Sequence, residues 1–405
     1  MQKILSGTQV KELDSNHIAL SGQTSHELME AASEAFVAWF LDQNFSIGLP
    51  ILIAIGSGNN GGDGLAIARL LTEKSYKVSI HKCFQSSENL SKDALYNFNR
   101  IPSSIEVLDI EDWSFADGGI MIDAFLGVGL KGELRTNAVD IIHKLNEFTG
   151  EVISIDVPSG LPSDGILTEI AVCADYTVSF EFPKLSLLFP EHAKYVGELV
   201  VLKIGVKNEA YKDLVSNFYF LEAKNIPALH KTFNRFSYKS DMGKVLLVGG
   251  NLGKMGALIL SAKSALRTGS GLVTCHLEES ERSILQSSIP EAMASWGLIP
   301  NPEDYDAVGI GPGWGIENRL EIFEQVLNDV TNPMVIDADG LNLLSKNTHL
   351  LALLPRNSIL TPHIGEFTRL VGKAENHVER LEMAKSFSVE NELILVLKGA
   401  NTVIN

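Results

Sequence analysis

Ile51-Leu52-Ile53-Ala54-Ile55-Gly56-Ser57-Gly58-Asn59-Asn60-Gly61-Gly62-Asp63-Gly64 decides the fold of the first half. Five apolar residues in a row suit a strand buried on both faces, and the glycine-rich string that follows leads into a helical run from Leu65 to Leu71. The glycines and asparagines permit positive φ and close backbone approach, and the start of the helix aims free N–H groups at an anion. The string is therefore expected to cradle a phosphate. It is neither the dinucleotide GxGxxG fingerprint nor a P-loop, because no Lys-Ser or Lys-Thr closes it.

Working outward, the same strand, turn and helix rhythm recurs at 77–80, 120–122, 152–155 and 199–202. Thr24 and Glu27 form a capping-box pattern ahead of a helix whose apolar stripe runs from Leu28 to Phe40. The rhythm fades between Lys207 and Lys239, and a domain boundary is placed there, giving domains 1–220 and 221–405. A second cycle opens with a strand at 244–248 and continues with strands at 307–310, 334–336, 358–360 and 393–396. Both halves are thus α/β.

Two more loops follow strands in the first half. Phe125-Leu126-Gly127-Val128-Gly129-Leu130-Lys131-Gly132-Glu133 is glycine-rich and offers Lys131 to a phosphate, while Asp156-Val157-Pro158-Ser159-Gly160 makes a sharp turn that presents Asp156. A surface lysine and a turn-forming aspartate are the plain alternatives. Because open α/β sheets bind ligands at the carboxyl ends of their strands, three such loops are expected to meet in one crevice.

Composition narrows the field. Hydrophobic residues are 45% and charged residues 20%, and no apolar run reaches the roughly 18 residues of a membrane span. A formal net charge of −17 repels nucleic acid and anionic membranes, so neither is expected as a partner. The amino-terminal residues lack signal or presequence character, which predicts a cytoplasmic protein. Cys83, Cys173 and Cys275 have no metal-ligand spacing and are expected to be buried, reduced thiols.

The string Gly56–Gly64, the Asp123-Ala124 pair leading into Gly127-Val128-Gly129, and the loop Asp156–Gly160, together with Leu28-Met29-Glu30, resemble the signature loops of NAD(P)H-hydrate epimerases. The resemblance implies a Rossmann-like three-layer α/β/α domain acting on NADHX and NADPHX, cofactors hydrated at carbon six of the nicotinamide ring. It implies substrate contacts from Asn59, Asn60, Gly61, Gly62 and Asp63, from Gly127, Val128, Gly129, Leu130, Lys131, Gly132 and Glu133, and from Asp156. It also implies a potassium site at Asn60, Asp123 and Ser159, where ordered water is the alternative occupant. Asp156 is the expected general acid/base, so Asp156→Asn should abolish epimerisation with the fold intact.

In the second half, Gly249–Ala257, Gly309–Gly313, Asp337–Asn342, Thr361–Glu366 and Lys398–Thr402 occur in an order that resembles ADP-dependent (S)-NAD(P)H-hydrate dehydratases, which are ribokinase-like. That resemblance implies hydrate contacts at Ala257, Gly313 and His363. It implies an adenine nucleotide, ADP or ATP with Mg2+, at Lys398, Gly399, Ala400, Asn401 and Thr402. Asp337 and Asp339 are read as turn-shaping residues.

The sequence ends at Thr402-Val403-Ile404-Asn405, before the Gly-Asp loop that carries the family's base. The second domain is therefore expected to be truncated and unable to dehydrate the hydrate. A ribokinase-superfamily small-molecule kinase is the alternative for this half, and a non-catalytic binding module is the alternative for the whole, although Asp123 and Asp156 argue against the latter. A homo-oligomer is expected.

Overall fold

The computed structural model describes residues 1–113, 118–129, 132–229 and 234–405. The chain divides into two compact units, Met1–His230 and Lys231–Asn405. The boundary expected after residue 220 lies short of this division, because the first unit runs on through short 3-10 turns at Ala223–Asn225 and Pro227–Leu229. Among the described residues no helix is long and apolar enough to cross a membrane.

The first unit is built on a seven-stranded parallel sheet. Its strands are β2 (Pro50–Ile55), β3 (Lys77–Lys82), β4 (Glu106–Asp109), β5 (Ile120–Ala124), β6 (Glu151–Ile155), β7 (Tyr176–Phe180) and β8 (Glu198–Leu202), in the order β4-β3-β2-β5-β6-β7-β8. A separate antiparallel pair joins β1 (Gln2–Ile4) to β9 (Phe218–Phe220).

Ile51, Ile53 and Ile55 face one side of the sheet, packing with Phe36 and Phe40 of α2 (Ser25–Asp42) and Leu65 and Leu71 of α3 (Asn59–Glu73). Leu52, Ala54 and Met121 face the other side, against Ile142 and Leu145 of α5 (Thr136–Asn146). The result is three layers. The shorter α4 (Lys92–Phe98) lies beside α3, and α1 (Gly7–Ser21) packs through Leu13 on Phe182 and Val206.

Strand order reverses between β2 and β5, since β3 and β4 extend to one side and β5 to β8 to the other. Such a reversal splays the loops leaving the two central strands and opens a crevice between them.

The second unit repeats the device. Its strands are β10 (Lys244–Val248), β11 (Leu272–His276), β12 (Met293–Ser295), β13 (Ala307–Ile310), β14 (Met334–Ile336), β15 (Ile359–Leu360), β16 (Ile394–Leu397) and β17 (Val403–Ile404), in the order β12-β11-β10-β13-β14-β15-β16-β17. All neighbours are parallel except β16 and β17. The reversal falls between β10 and β13. Leu246, Val248 and Ile310 pack on one face with Phe323 and Phe367, while Leu247, Val273 and Cys275 pack on the other with Leu258 and Leu285.

Cys83 and Cys275 are buried, and burial pushes the Cys275 thiol up to about 12. Cys173 departs from expectation and is exposed. It lies in irregular chain ahead of β7, held there by its backbone N–H, which donates to Asn146 Oδ1 at 2.8 Å.

Candidate active site

The turn after β2 differs from its sequence reading in an instructive way. Helix α3 begins at Asn59, six residues before the expected run at Leu65, so Gly61, Gly62 and Gly64 lie inside the helix. None of the glycines from Gly56 to Gly64 has positive φ. Their use is proximity. A Cβ on Gly61 would meet the Gly56 carbonyl oxygen at 1.9 Å, one on Gly56 the Phe125 oxygen at 1.8 Å, and one on Gly64 the Ala124 Cβ at 2.5 Å.

The turn, the first helical residues and the β5 loop are thus stacked backbone to backbone. Gly61→Ala is expected to lower stability by about 1–3 kcal/mol, because backbone atoms cannot swing aside as a side-chain tip can. Denaturant unfolding checks this, and an unchanged midpoint would show that the turn yields.

The N-cap of α3, Gly58, supplies no side-chain acceptor, so the first N–H groups of a helix of 15 residues are left for another partner. They open onto a cavity of about 1550 Å³, larger than the few hundred to 1000 Å³ of a drug-sized site. Of the expected contact residues, Asn59, Asn60, Asp63, Gly127, Val128, Gly129, Glu133 and Asp156 line it. Gly61 and Gly62 are buried under the turn, and Gly132, at φ +76°, is not among the lining residues. Leu130 and Lys131 lie outside the described residues.

Beneath the cavity floor, Asp123 at the end of β5 is fully buried. Its carboxylate accepts from Ser154 Oγ at 2.8 Å, Ser159 N at 2.8 Å, Ser159 Oγ at 2.5 Å and Phe125 N at 3.2 Å. Burial raises its pKa, and the bonds from Ser159, Ser154 and Phe125 pull it back. Among the described residues no basic side chain pairs with it.

Ser159 Oγ also accepts from Leu126 N at 2.7 Å, and Asn60 Nδ2 donates to Leu126 O at 2.9 Å. Asn60, Asp123 and Ser159 are therefore brought together around one carbonyl. Among the described residues no three His, Cys, Asp or Glu side chains form a metal-binding group, so any ion held here relies on amide, hydroxyl and carbonyl oxygens beside a single carboxylate.

Asp156 stands at the cavity wall just past β6, in the left-handed region at φ +65°. Its Oδ1 forms a close ion pair with Lys184 and also accepts from Ser179 Oγ at 3.2 Å and Phe180 N at 3.3 Å. Lys184 is 1% exposed, and its ammonium also donates to Ser179 Oγ at 3.0 Å and Phe180 O at 3.3 Å. Sequence reading missed this lysine.

It missed Asp14 on α1 as well. Burial, reinforced by the Asp156 charge, pushes the Asp14 carboxyl from 3.8 up to about 6, against the opposing pull of Lys184 and His17. Asp63 is pushed well above its ordinary value by burial, with Asp156, Asp14 and Asp93 adding to the shift and Lys184 opposing it. Asp63 is half-buried in the cavity wall.

In the second unit, Ala257 and Gly313 are brought together at the reversal between β10 and β13. Gly313 has φ +63°, and a Cβ there would lie 2.5 Å from Lys254 O and 3.3 Å from Ala257 Cβ. Asp339 Oδ2 accepts from Gly315 N at 2.7 Å, tying the loop after β13 rather than its own turn. Asp337 does something else: its carboxylate pairs with Lys398 Nζ at 2.8 Å.

His363 caps the helix Ile364–Leu370, its Nδ1 accepting from Gly365 N at 2.9 Å and Glu366 N at 3.3 Å. Two donors on Nδ1 leave the ring proton on Nε2. A parallel bridge sets His363 beside Lys398, the first residue of the turn Lys398–Thr402 that joins β16 to the antiparallel β17. The expected hydrate and nucleotide segments therefore meet at His363 and Lys398.

Two families match the chain: one described as YjeF-related protein N-terminus over residues 25–186, the other as NAD(P)H-hydrate dehydratase over residues 245–405. A bifunctional NAD(P)H-hydrate repair enzyme Nnr of Coxiella burnetii is 32% identical, the match covering 100% of this chain and 83% of that protein. A protein of the same name from Moorella thermoacetica is 32% identical over 87% of this chain and 72% of its own length. Among solved structures, an ADP/ATP-dependent NAD(P)H-hydrate dehydratase of Bacillus subtilis, co-crystallised with ATP/Mg2+, is 26% identical with a TM-score of 0.41, covering 47% of this chain and 70% of that one.

Proposed function

The chain belongs to the bifunctional NAD(P)H-hydrate repair enzymes, which pair an epimerase with a dehydratase, and from that premise we propose that R and S hydrates of NADH and NADPH interconvert in the cavity of the first unit. The observation that carries this reading is the meeting of three loops, after β2, β5 and β6, on one cavity walled by the Asp156–Lys184 pair. The free N–H groups at the start of α3 suit the dinucleotide's diphosphate, and the close-packed glycines let backbone reach it. Asn59 to Asp63, Gly127 to Glu133 and Asp156 are the proposed substrate contacts.

Asp156 is the proposed general acid/base. The hydrated carbon carries a hydroxyl next to the ring nitrogen, and inverting it requires a proton to move on and off oxygen or nitrogen. Lys184 supplies a countercharge at Oδ1, and Ser179 Oγ and Phe180 N donate to the same oxygen. These partners keep the group poised at the wall.

Asn60, Asp123 and Ser159 fit a potassium ion. Asp123 is a fully buried carboxylate without a basic partner among the described residues, surrounded by hydroxyl, amide and carbonyl oxygens. A bound potassium would supply the missing positive charge and favour the anionic dinucleotide above it. In an assay of R-to-S interconversion of NADPHX, the purified chain is expected to equilibrate the epimers, and to do so more slowly or with weaker substrate affinity when a bulky organic cation replaces potassium. No interconversion sinks the epimerase reading; equal rate and affinity in both salts assign the site to water.

The family match over residues 245–405 supports dehydratase chemistry in the second unit, against the expectation of an incapable half; Ala257, Gly313 and His363 are proposed to meet the hydrate, and Lys398 to Thr402 the ADP or ATP that, with Mg2+, drives dehydration. The contact of His363 with Lys398 supports placing the two ligands side by side.

A further inference from the structure

We propose that Asp14, on the α1 wall of the same cavity, is a second catalytic acid/base, acting as the proton donor opposite Asp156 during epimerisation. The inference rests on the reading of Asp156 above and extends it to the first helix, which none of the three loops contains.

Asp14 and Asp156 both line the cavity, together with Asp63 and Lys184. Helix α1 is fixed there by Leu13, which packs with Leu5, Phe182 and Val206, and by His17, whose Nδ1 accepts from Lys207 N at 3.3 Å. Asp14 is thus placed at the cavity by the packing of its own helix. Among the described residues its carboxyl has neither a hydrogen-bond donor nor an ion-pair partner, unlike Asp156, whose Oδ1 is held by Lys184, Ser179 Oγ and Phe180 N.

The charged groups facing Asp14 are Asp156 from beyond β6, Lys184 from beyond β7, Asp63 from α3 and His17 from its own helix. Three carboxyl groups around one ammonium cannot all ionise cheaply, and protons settle on Asp14 and Asp63, whose carboxyls have no hydrogen-bond or ion-pair partner among the described residues. The shift of Asp14 to about 6 agrees with that placement.

The chemistry balances with these two groups. Asp14 gives its proton to the hydroxyl at carbon six; the C–O bond breaks with its electron pair leaving on water, while the lone pair of the ring nitrogen forms an N=C bond. Water then adds to the other face of that carbon, the π pair returns to nitrogen, and the released proton goes to Asp156. No oxidant or reductant is needed. The opposite epimer uses the same groups with roles exchanged, and exchange with solvent resets them.

The test is the rate of R-to-S interconversion of NADPHX against pH for wild type, Asp14→Asn, Asp14→Glu and Asp156→Asn. In wild type, kcat/KM should fall on the alkaline side of about pH 6, as the donor form of Asp14 is titrated away. Asp14→Asn should lose about 10²-fold or more in kcat and lose that limb, while KM stays near wild type. Asp14→Glu should restore part of the rate and recover the limb at a shifted pH.

Full activity with an unchanged limb in Asp14→Asn overturns the proposal. If the asparagine variant does not fold, Asp14→Glu decides alone: a limb that does not move overturns it equally. An inactive Asp14→Asn beside an active Asp156→Asn would leave Asp14 standing and remove the role given to Asp156, so the two failures are distinguishable.

Discussion

Asp156→Asn is expected to reduce epimerisation by about 10²–10⁴-fold, the usual loss when a positioned acid/base group goes. Asparagine is the right replacement because it tolerates the left-handed backbone that residue 156 adopts, at φ +65°. Alanine would mix a conformational penalty into the result. Sequence alone predicts an unchanged fold for this variant, but the structure adds a cost. Neutralising Asp156 leaves the Lys184 ammonium, 1% exposed, without its countercharge, with neutral acceptors alone at the asparagine Oδ1, Ser179 Oγ and Phe180 O.

Unfolding free energy should therefore drop by about 1–3 kcal/mol, the cost of an imperfectly satisfied buried polar group. Rate must be measured well below the new melting temperature and compared with bound substrate analogue. Near wild-type turnover would refute the acid/base role.

Lys184→Met should be worse for stability. Methionine fills the space but leaves the Asp156 carboxylate, itself little exposed, without its countercharge beside Asp14 and Asp63. Breaking a buried pair by removing one partner typically costs about 3–5 kcal/mol. Asp14 and Asp63, whose carboxyls Lys184 now draws downward, should shift further up, and the alkaline limb of the rate profile should move with them. The loss should be greater at pH 8 than at pH 5, because protonated neighbours no longer repel Asp156 at the lower pH. Equal destabilisation at both pH values would mean that packing, not charge, is what Lys184 contributes.

Much of the fold was legible because its signals are local. Ile51 to Ile55, Lys77 to Ile80 and Val152 to Ile155 read as strands since a strand buried on both faces must be apolar throughout. β7 escaped notice because Thr177 and Ser179 interrupt its apolar run. Both are nonetheless fully buried, Thr177 bonding to Val196 O at 2.7 Å and Ser179 joining the Asp156 network. Their satisfaction comes from distant chain.

The same reason hid Asp14 and its neighbour Lys184. Asp156 announced itself by ending a strand before a Pro-Ser-Gly turn, whereas Asp14 sits in Lys11-Glu12-Leu13-Asp14-Ser15, which reads as an ordinary solvated helix face. Lys184 had one faint signal: a lone lysine in Phe182-Pro183-Lys184-Leu185-Ser186-Leu187-Leu188. Of the two reasons read for the glycines of the first turn, close backbone approach holds and positive φ does not, and the contact of Gly61 with the Gly56 carbonyl exists only once helix and turn are stacked. In the second unit, the bond from Asp337 to Lys398 spans three strands of the sheet and has no trace in local sequence.

The pairing of β1 with β9 bears on the order in which the cavity is assembled. Ser216 Oγ donates to Ile4 O across 212 residues, and Lys3 Nζ reaches the carbonyls of Tyr211 and Leu214. Contacts between such distant parts of a chain pay the largest loop-closure entropy and tend to form after local ones. Helix α1 follows β1 after two residues and carries Asp14, so the acid-bearing wall closes over a sheet whose three loops are already in place. Amide hydrogen exchange should then show α1 and β1 opening together and more readily than β2, β5 and β6. A catalytic wall hung on the most non-local clasp of the unit can part to admit a dinucleotide while the phosphate-binding turn stays folded.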